Sequence, residues 1–404
     1  MPGKVFNFFR TVGKVSVILS PVLIIGVVAY ITFKNILLSP VDPSSQDLVI
    51  VEIAPGTSFR AASKSLEEQN LVTHWWSLEI ISKIKGNNTI VAGEYQLAKS
   101  MSPDEILTTM LEGKVYKRRV VFREGQSTFD LGDIVEKAGL VSRSDLNSVL
   151  IDPVLISKSG VKGNSFEGYL FPETYFFSRP IKAEEIILAM LKEGNKRWTA
   201  EYEERAAHLG WDRHQVLTLA SIIEKESGNI EEQPTIASVF YNRLTANWPL
   251  QSDPTAVYGI PGFTGRILKK HLDNDNAYNT YKIKGLPPGP ICSPGEGAIR
   301  AALYPANTTY MYFVADGQGG HVFSATQKEH ERAVEFYRRF LKEARKQQAL
   351  DPEEESVGEE ANDPVDVELG AEPQVDGSER EVKDAESATT DNATEAEPAA
   401  EATP

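Results

Sequence analysis

The sequence predicts an α+β chain with four parts: a single N-terminal transmembrane helix, a small βααβ module, a larger mixed α+β domain, and a disordered acidic C-terminal tail. Three observations predict it. Residues Val15 to Phe33 carry no charge, strand-like and helix-like patterns mix from Leu48 to about Lys346, and no aromatic residue follows Asp351. The expected boundaries are 1–14 (cytoplasmic N-terminus), 15–34 (membrane helix), 35–47 (linker), 48–117 (first module), 118–346 (second domain) and 347–404 (tail).

The uncharged run reaches roughly 28 Å at about 1.5 Å per residue, close to the hydrocarbon thickness of a bilayer. Lys4, Arg10 and Lys14 precede it and no acid appears before Asp42. The positive-inside rule then keeps the N-terminus in the cytoplasm and places the rest outside. A cleavable signal peptide competes with this reading, but the run is long for a signal core and no small-x-small site follows it. The lipid bilayer is therefore an expected partner.

The net charge of −15 belongs to the tail. From Asp351 onward 19 acidic residues face only Arg380 and Lys383, so the remainder is close to neutral. A tail of Ala, Glu, Pro, Thr and Asp cannot bury enough apolar surface to fold. A near-neutral body gives no case for nucleic-acid binding. Cys292 is the only cysteine, which excludes an intramolecular disulfide and a multi-cysteine metal site, and the six His residues show no close pair at helical ligand spacing. No metal or cofactor is expected.

Leu48 to Ile53 is a β-branched run that reads as a strand, closed by the Pro55-Gly56 turn. Ser58–Gln69 and Trp75–Lys85 read as short helices and Val91–Leu97 as a second strand. Ser102-Pro103-Asp104-Glu105 starts a further helix, with Pro at the first helical position and acids in the first turn. Tyr95, Trp75 and Trp76 read as packed core of this unit. Val120 to Phe122 opens the next portion and Phe129–Ala138 is helical. An aromatic-rich loop follows at Phe166 to Tyr175, then helices over about Ala183–Glu203, Arg213–Glu226 and Gln233–Leu244. The stretch from Gln251 to Gly295 has little periodicity, which in a compact domain indicates a functional loop system or a linker; its Tyr, Leu and Ile argue against disorder. Tyr310–Ala315 and Gly319–Phe323 read as a hairpin, and a final amphipathic helix runs over about Ala325–Lys346.

One helical segment, Leu219 to Ser227, sets a carboxylate against an apolar surface. Side chains on a helix lie over the residues three and four positions earlier, so Glu226 covers Ile223 and Ile222 while Glu224 covers Ser221 and Ala220. A carboxyl against an apolar wall loses hydration, its pKa rises, and it can give a proton to a leaving oxygen near neutral pH. Both Glu residues also fit as surface charges beside Lys225, and periodicity alone does not decide between them.

Four stretches together resemble the YceG-like endolytic murein transglycosylases: Phe166 to Tyr175, Leu219 to Ser227, Leu250 to Thr255, and Ala277 to Tyr281 running on to Gly285-Leu286-Pro287-Pro288-Gly289-Pro290. Tyr312 to Gly317 and Gly319 to Phe323 match as well, and the similarity covers roughly residues 48 to 345. The resemblance implies a single-pass inner-membrane enzyme whose LysM-like first module precedes a periplasmic catalytic domain. It implies that peptidoglycan glycan strands are cut within the chain, and it suggests a peptidoglycan synthase as a partner. It identifies Glu226 as the essential acid and Glu226-Ser227 as the Glu-Ser pair of lytic transglycosylases.

Such chemistry needs one prominent carboxyl rather than the two of hydrolytic glycosidases, and an oxocarbenium-like centre needs polar neighbours. Gln251, Ser252, Asp253, Asn279 and the hydroxyls of Tyr278 and Tyr281 are candidates for that role and for holding sugar groups. Asn279-Thr280 equally fits a side-chain-stabilised turn, Asp253 before Pro254 fits a turn start, and Glu167 fits either substrate contact or capping of backbone donors. A non-catalytic, membrane-tethered peptidoglycan-binding or scaffold protein is the rival reading, and it leaves Glu226-Ser227 without a purpose. A pyridoxal-phosphate lyase would need a Schiff-base Lys that has no evident place here.

Overall fold

The computed structural model describes residues 21, 23–260, 263, 265 and 267–350. The acidic tail from 351 lies outside them. So does part of the expected span 15–34, since residues 15–20 and 22 are not described. Residues 23–38 form helix α1, whose apolar side chains from Leu23 to Phe33 are largely exposed. Among the described residues no helix is long and apolar enough to cross a membrane.

The first module runs β1 (Leu48–Ile53), α2 (Phe59–Glu68), α3 (Trp75–Lys85), β2 (Gly93–Ala98) and α4 (Pro103–Leu111). The strands pair antiparallel with Val51 opposite Tyr95, and period-two alternation sends Val51 and Ile53 inward. Ser58 caps α2 by accepting from the Ala61 N–H, and Ser102 with Glu105 forms a capping box on α4. Their buried faces close a core of Leu66, Leu71, Leu78, Tyr95, Leu97, Ile106 and Met110. Trp76 packs against this core with part of its ring exposed, in line with its expected place, whereas Trp75, also half-buried, is not part of the cluster, which corrects its expected place. The linker is also less free than its polar composition suggests: Leu37 joins this core and the Asp42 N–H donates to the Lys99 carbonyl at 3.0 Å.

The second portion contains β3 (Arg118–Phe122), α5 (Thr128–Lys137), α6 (Arg143–Leu150), α7 (Pro153–Lys158), β4 (Glu173–Phe177), α8 (Ala183–Arg197), α9 (Ala200–His208), α10 (Arg213–Glu226), α11 (Gln233–Thr245), α12 (Asp253–Val257), α13 (Lys269–Leu272), α14 (Glu296–Leu303), β5 (Tyr312–Ala315), β6 (His321–Ser324) and α15 (Gln327–Leu350). β3 pairs with β4 and β5 with β6, both antiparallel. The expected helix over 183–203 is two helices, because Trp198 leaves the helical conformation and Thr199 caps a new start by accepting from the Tyr202 N–H. β4 begins inside the expected aromatic loop and runs two residues past it, and α14, which the sequence pattern did not reveal, packs on α10 and α11.

α10 is the axis of this domain. Asp212 and Gln215 form its capping box, and every residue from Val216 to Ile223 is buried. A helix apolar on all sides belongs in the middle of a fold, and α9, α11, α12 and α14 surround it. A charged clasp joins the two portions: Arg118 donates to both oxygens of the buried Glu94 at 2.9 and 3.0 Å, and Arg179 lies 3.6 Å away.

Candidate active site

α10 ends at Glu226 because Ser227 turns to extended backbone (φ −146°). That break delivers the carboxyl from the buried axis to the edge of the loop system. Ile222 and Ile223 beneath it have no exposure at all, whereas Glu226 is half-buried and keeps access to solvent. Desolvation first, then the neighbouring Asp253, push its carboxyl up to about 7, against the Ser252 hydroxyl and Arg243, which favour the ionised form. The acid is therefore poised to be protonated or ionised near neutral pH.

Ser252 donates its hydroxyl to Glu226 Oε1. Its own position is locked from behind: its N–H donates to Thr280 Oγ1 at 2.9 Å, and Thr255 Oγ1 lies 2.8 Å from the same oxygen. Gln251 reaches the turn in a left-handed conformation (φ 51°), with its N–H on the Thr280 carbonyl and its side chain exposed. Asp253 begins α12 and accepts from the Tyr281 hydroxyl at 2.5 Å. Burial raises the Asp253 carboxyl as well, while that hydrogen bond opposes the shift.

Arg243, which the sequence pattern did not single out, completes the surroundings. It is 7% exposed at the end of α11, donating Nε to the Met311 carbonyl at 2.8 Å and Nη1 to the Leu250 carbonyl at 2.5 Å. It ties the strand-entry segment to the loop that carries Ser252, and its charge acts on Glu226. The only signal was its place at the end of the Tyr241-Asn242-Arg243 run. Trp248, 42% exposed, meets Tyr312 edge-on at 6.1 Å.

Several expected contact residues do structural work instead. Asn279 has no exposure, and its amide donates to the Leu272 and Asn274 carbonyls at 2.9 and 2.8 Å. Thr280 is equally buried and holds Ser252 and Thr255. Ser227 is 5% exposed, its hydroxyl accepting from the Asn229 N–H at 3.0 Å. Glu167 is 2% exposed and belongs to a separate network, accepting from the Thr128 N–H and hydroxyl and from the Tyr258 hydroxyl. Desolvation pushes Glu167 up to about 7 as well, but it is closed off from solvent where Glu226 is not. Tyr278 is half-buried, its ring 4.7 Å from Tyr258 on that same network. Ser252, Asp253 and Tyr281 are thus gathered around Glu226, Gln251 adjoins them in the chain with its side chain exposed, and Glu167 and Tyr278 are set apart.

Glu224 points the other way. Its carboxylate accepts from the Gly295 N–H at 3.0 Å, at the start of α14, and desolvation raises its pKa too. It is a half-buried tie between α10 and α14, not the hydrated surface charge that its place over Ser221 and Ala220 suggested. Cys292 is fully buried, its thiol pushed well up by desolvation, and is inert as a nucleophile.

Removing the Ser252 hydroxyl is expected to move the alkaline limb of the pH–activity profile upward. That hydroxyl favours the ionised carboxylate, so Ser252→Ala leaves Glu226 protonated to higher pH. A charge-assisted hydrogen bond of about 1.5–3 kcal/mol makes the displacement roughly one to two pH units. A profile that falls in amplitude without moving would show that Ser252 does not act on Glu226.

A partly accessible carboxyl at the end of a buried helix, with its proton affinity set near neutrality, fits an enzyme that works by proton transfer from one acid. The chain belongs to the YceG-like family, whose model matches residues 51–336. It is 35% identical over 317 residues to an endolytic murein transglycosylase of Bacillus subtilis, covering 74% of this chain and 88% of that protein. It is 30% identical over 331 residues to an endolytic murein transglycosylase of Streptococcus pneumoniae, covering 74% of this chain and 60% of that longer protein. A crystal structure of a yceG-like protein from Listeria monocytogenes superposes with a TM-score of 0.50 at 33% identity, covering 71% of this chain and 99% of that one.

Proposed function

We infer that this chain is a lytic transglycosylase that cuts peptidoglycan glycan strands internally, with Glu226 as its acid and base. The observation that carries the assignment of the residue is the Glu226 carboxyl itself, accessible, backed by Ile222 and Ile223, and held near neutral pKa. The protonated carboxyl gives its proton to the oxygen bridging N-acetylmuramic acid and N-acetylglucosamine as that bond breaks. The carboxylate left behind is stabilised by the Ser252 hydroxyl and by Arg243. It then takes the proton of the muramyl 6-hydroxyl, whose oxygen closes on the anomeric carbon. The strand ends in a 1,6-anhydro sugar, no water is consumed, and Glu226 regains its proton. Because the nucleophile belongs to the substrate, the protein supplies orientation and one proton shuttle. Asp253, held by Tyr281, places negative charge beside the carbon that becomes positive. Gln251, with its exposed side chain, and the Trp248–Tyr312 pair offer sugar contacts at the rim.

The uncharged run 15–33 and the basic residues before it support a single-pass inner-membrane anchor with the catalytic domain in the periplasm. The strand–helix–helix–strand order of the first module supports a LysM-like, glycan-recognising role, and a synthase that extrudes nascent strands is the partner such placement favours.

The reaction is tested by the masses of products released from purified peptidoglycan. Anhydro ends are lighter than reducing ends by one water, and anhydro-ended fragments cut from within strands are expected. Reducing ends alone would make the enzyme a hydrolase and remove the single-carboxyl mechanism.

A further inference from the structure

We propose that the first module lies directly on the bilayer, with the Trp76 ring at headgroup level on the periplasmic side. This inference rests on the membrane-anchor reading above. Phe33 is the last residue of the uncharged run and Lys34 follows it, so Phe33 marks where the hydrocarbon ends. Its ring stacks on Trp76, with centroids 6.5 Å apart and planes 13° from parallel. Trp76 stacks in turn on His74 at 5.2 Å and 11°. The indole is therefore held one ring-spacing from the end of the apolar run, and its neighbour on the other side is polar.

Three further contacts remove the freedom to stand off. Leu37, one helical turn after Phe33 and so roughly 6 Å along the axis, is 7% exposed within the core of the module. The Ser39 N–H donates to the Asn35 carbonyl at 2.9 Å, and the Asp42 N–H to the Lys99 carbonyl at 3.0 Å. The helix thus enters the module without a slack linker. Beside Trp76, Trp75 carries the Arg60 guanidinium 5.4 Å and the Lys64 ammonium 5.6 Å from its ring centroid; Arg60 also pairs with Glu79 at 2.7 Å. An aromatic stack beside an indole that carries two cations suits the zone where hydrocarbon gives way to lipid phosphate. Trp76 packs its inner side on the core of the module and keeps the rest of its ring exposed, and Trp75 is half-exposed beside it. Through the Glu94–Arg118 clasp the same contact sets the height of the catalytic domain above the membrane.

The full chain reconstituted in liposomes of phosphatidylethanolamine and phosphatidylglycerol tests this. Selective tryptophan excitation is compared with and without phospholipids brominated near the headgroup end of their chains. Bromolipids are expected to quench part of the emission, quenching should weaken when the bromines move toward the chain ends, and Trp76→Phe should remove most of the quenched component. Phe at 76 keeps the stack on Phe33, so the fold is retained. Flotation of the protein with the liposomes without any quenching that depends on Trp76 would overturn the proposal while leaving the anchor intact. Failure to float at all would overturn the anchor reading, and this inference with it. Shielding of Trp76 by added glycan fragments but not by bromolipid would assign the face to glycan instead.

Discussion

Glu226→Gln is expected to abolish release of anhydro-ended fragments while leaving the protein folded. Glutamine keeps the shape and can still accept the Ser252 hydroxyl, but it has no proton to give near neutral pH. General acid–base assistance is typically worth about a hundred- to ten-thousand-fold, and here one residue serves both the protonation and the deprotonation. The loss should therefore lie at the upper end of that range. Glu224→Gln is the internal control. Its amide oxygen still accepts from the Gly295 N–H, so activity should stay within a few-fold of the parent, on the order of one ordinary hydrogen bond. Normal activity with Gln at 226 and loss with Gln at 224 would exchange the two assignments. Full activity in both would remove the acid from α10 altogether.

Gly168→Ala should cause a large loss of stability. Gly168 follows Glu167 with φ 78°, a conformation that L side chains rarely adopt, and an added Cβ would strike the ring of Pro290. The left-handed backbone costs about 1–2 kcal/mol and overpacking about 1–3 kcal/mol more. For a domain of this size each kcal/mol lowers Tm by about 2–4 °C, so the expected fall is roughly 4–20 °C. Pro290 has little room to retreat, since the next residue, Ile291, donates its N–H to Ser221 on α10 at 3.0 Å, and His214 Nε2 meets the Pro288 carbonyl at 2.8 Å. Activity should fall with stability because this loop is fastened to the helix that carries Glu226. An unchanged melting temperature would mean that the two loops do not press together.

Much of the fold could be read from local patterns. The helix over 213–226 was legible to the residue, since Asp212 and Gln215 cap its start and its apolar residues continue to Ile223. α3 over Trp75–Lys85 and the β5–β6 hairpin were legible for similar reasons: a strong periodicity bounded by a turn or a cap. Failures occurred where a short signal was outweighed. Thr199 capped a new helix inside what read as one continuous pattern. α14 begins at Glu296 with Gly297 in its first turn, and its fixing contacts come from α10 and α11. The site divided in the same way. Residue types and the resemblance pointed to the loops at 251–253 and 278–281, but could not separate Tyr281, which faces Asp253, from Asn279, which faces its own backbone.

The sequence by itself determined the axis of the enzyme. A capped, apolar α10 must be buried, and Glu226 at its last turn must sit at the margin of an apolar wall. It also determined that the body is near neutral with an acidic extension, and that an uncharged run precedes the first module. Only the tertiary structure decided which carboxyl is accessible. Glu167 and Glu226 are both pushed toward neutrality by burial, yet Glu167 is enclosed by Thr128 and Tyr258 while Glu226 keeps an open edge. It alone supplied Arg243, which bridges the carbonyl of nearby Leu250 to that of Met311, 68 residues beyond the arginine, and it alone turned Glu224 toward Gly295. Such choices depend on which segments meet across long stretches of chain, and desolvation, the largest influence on each of these carboxyls, is a property of the surroundings that no local pattern contains.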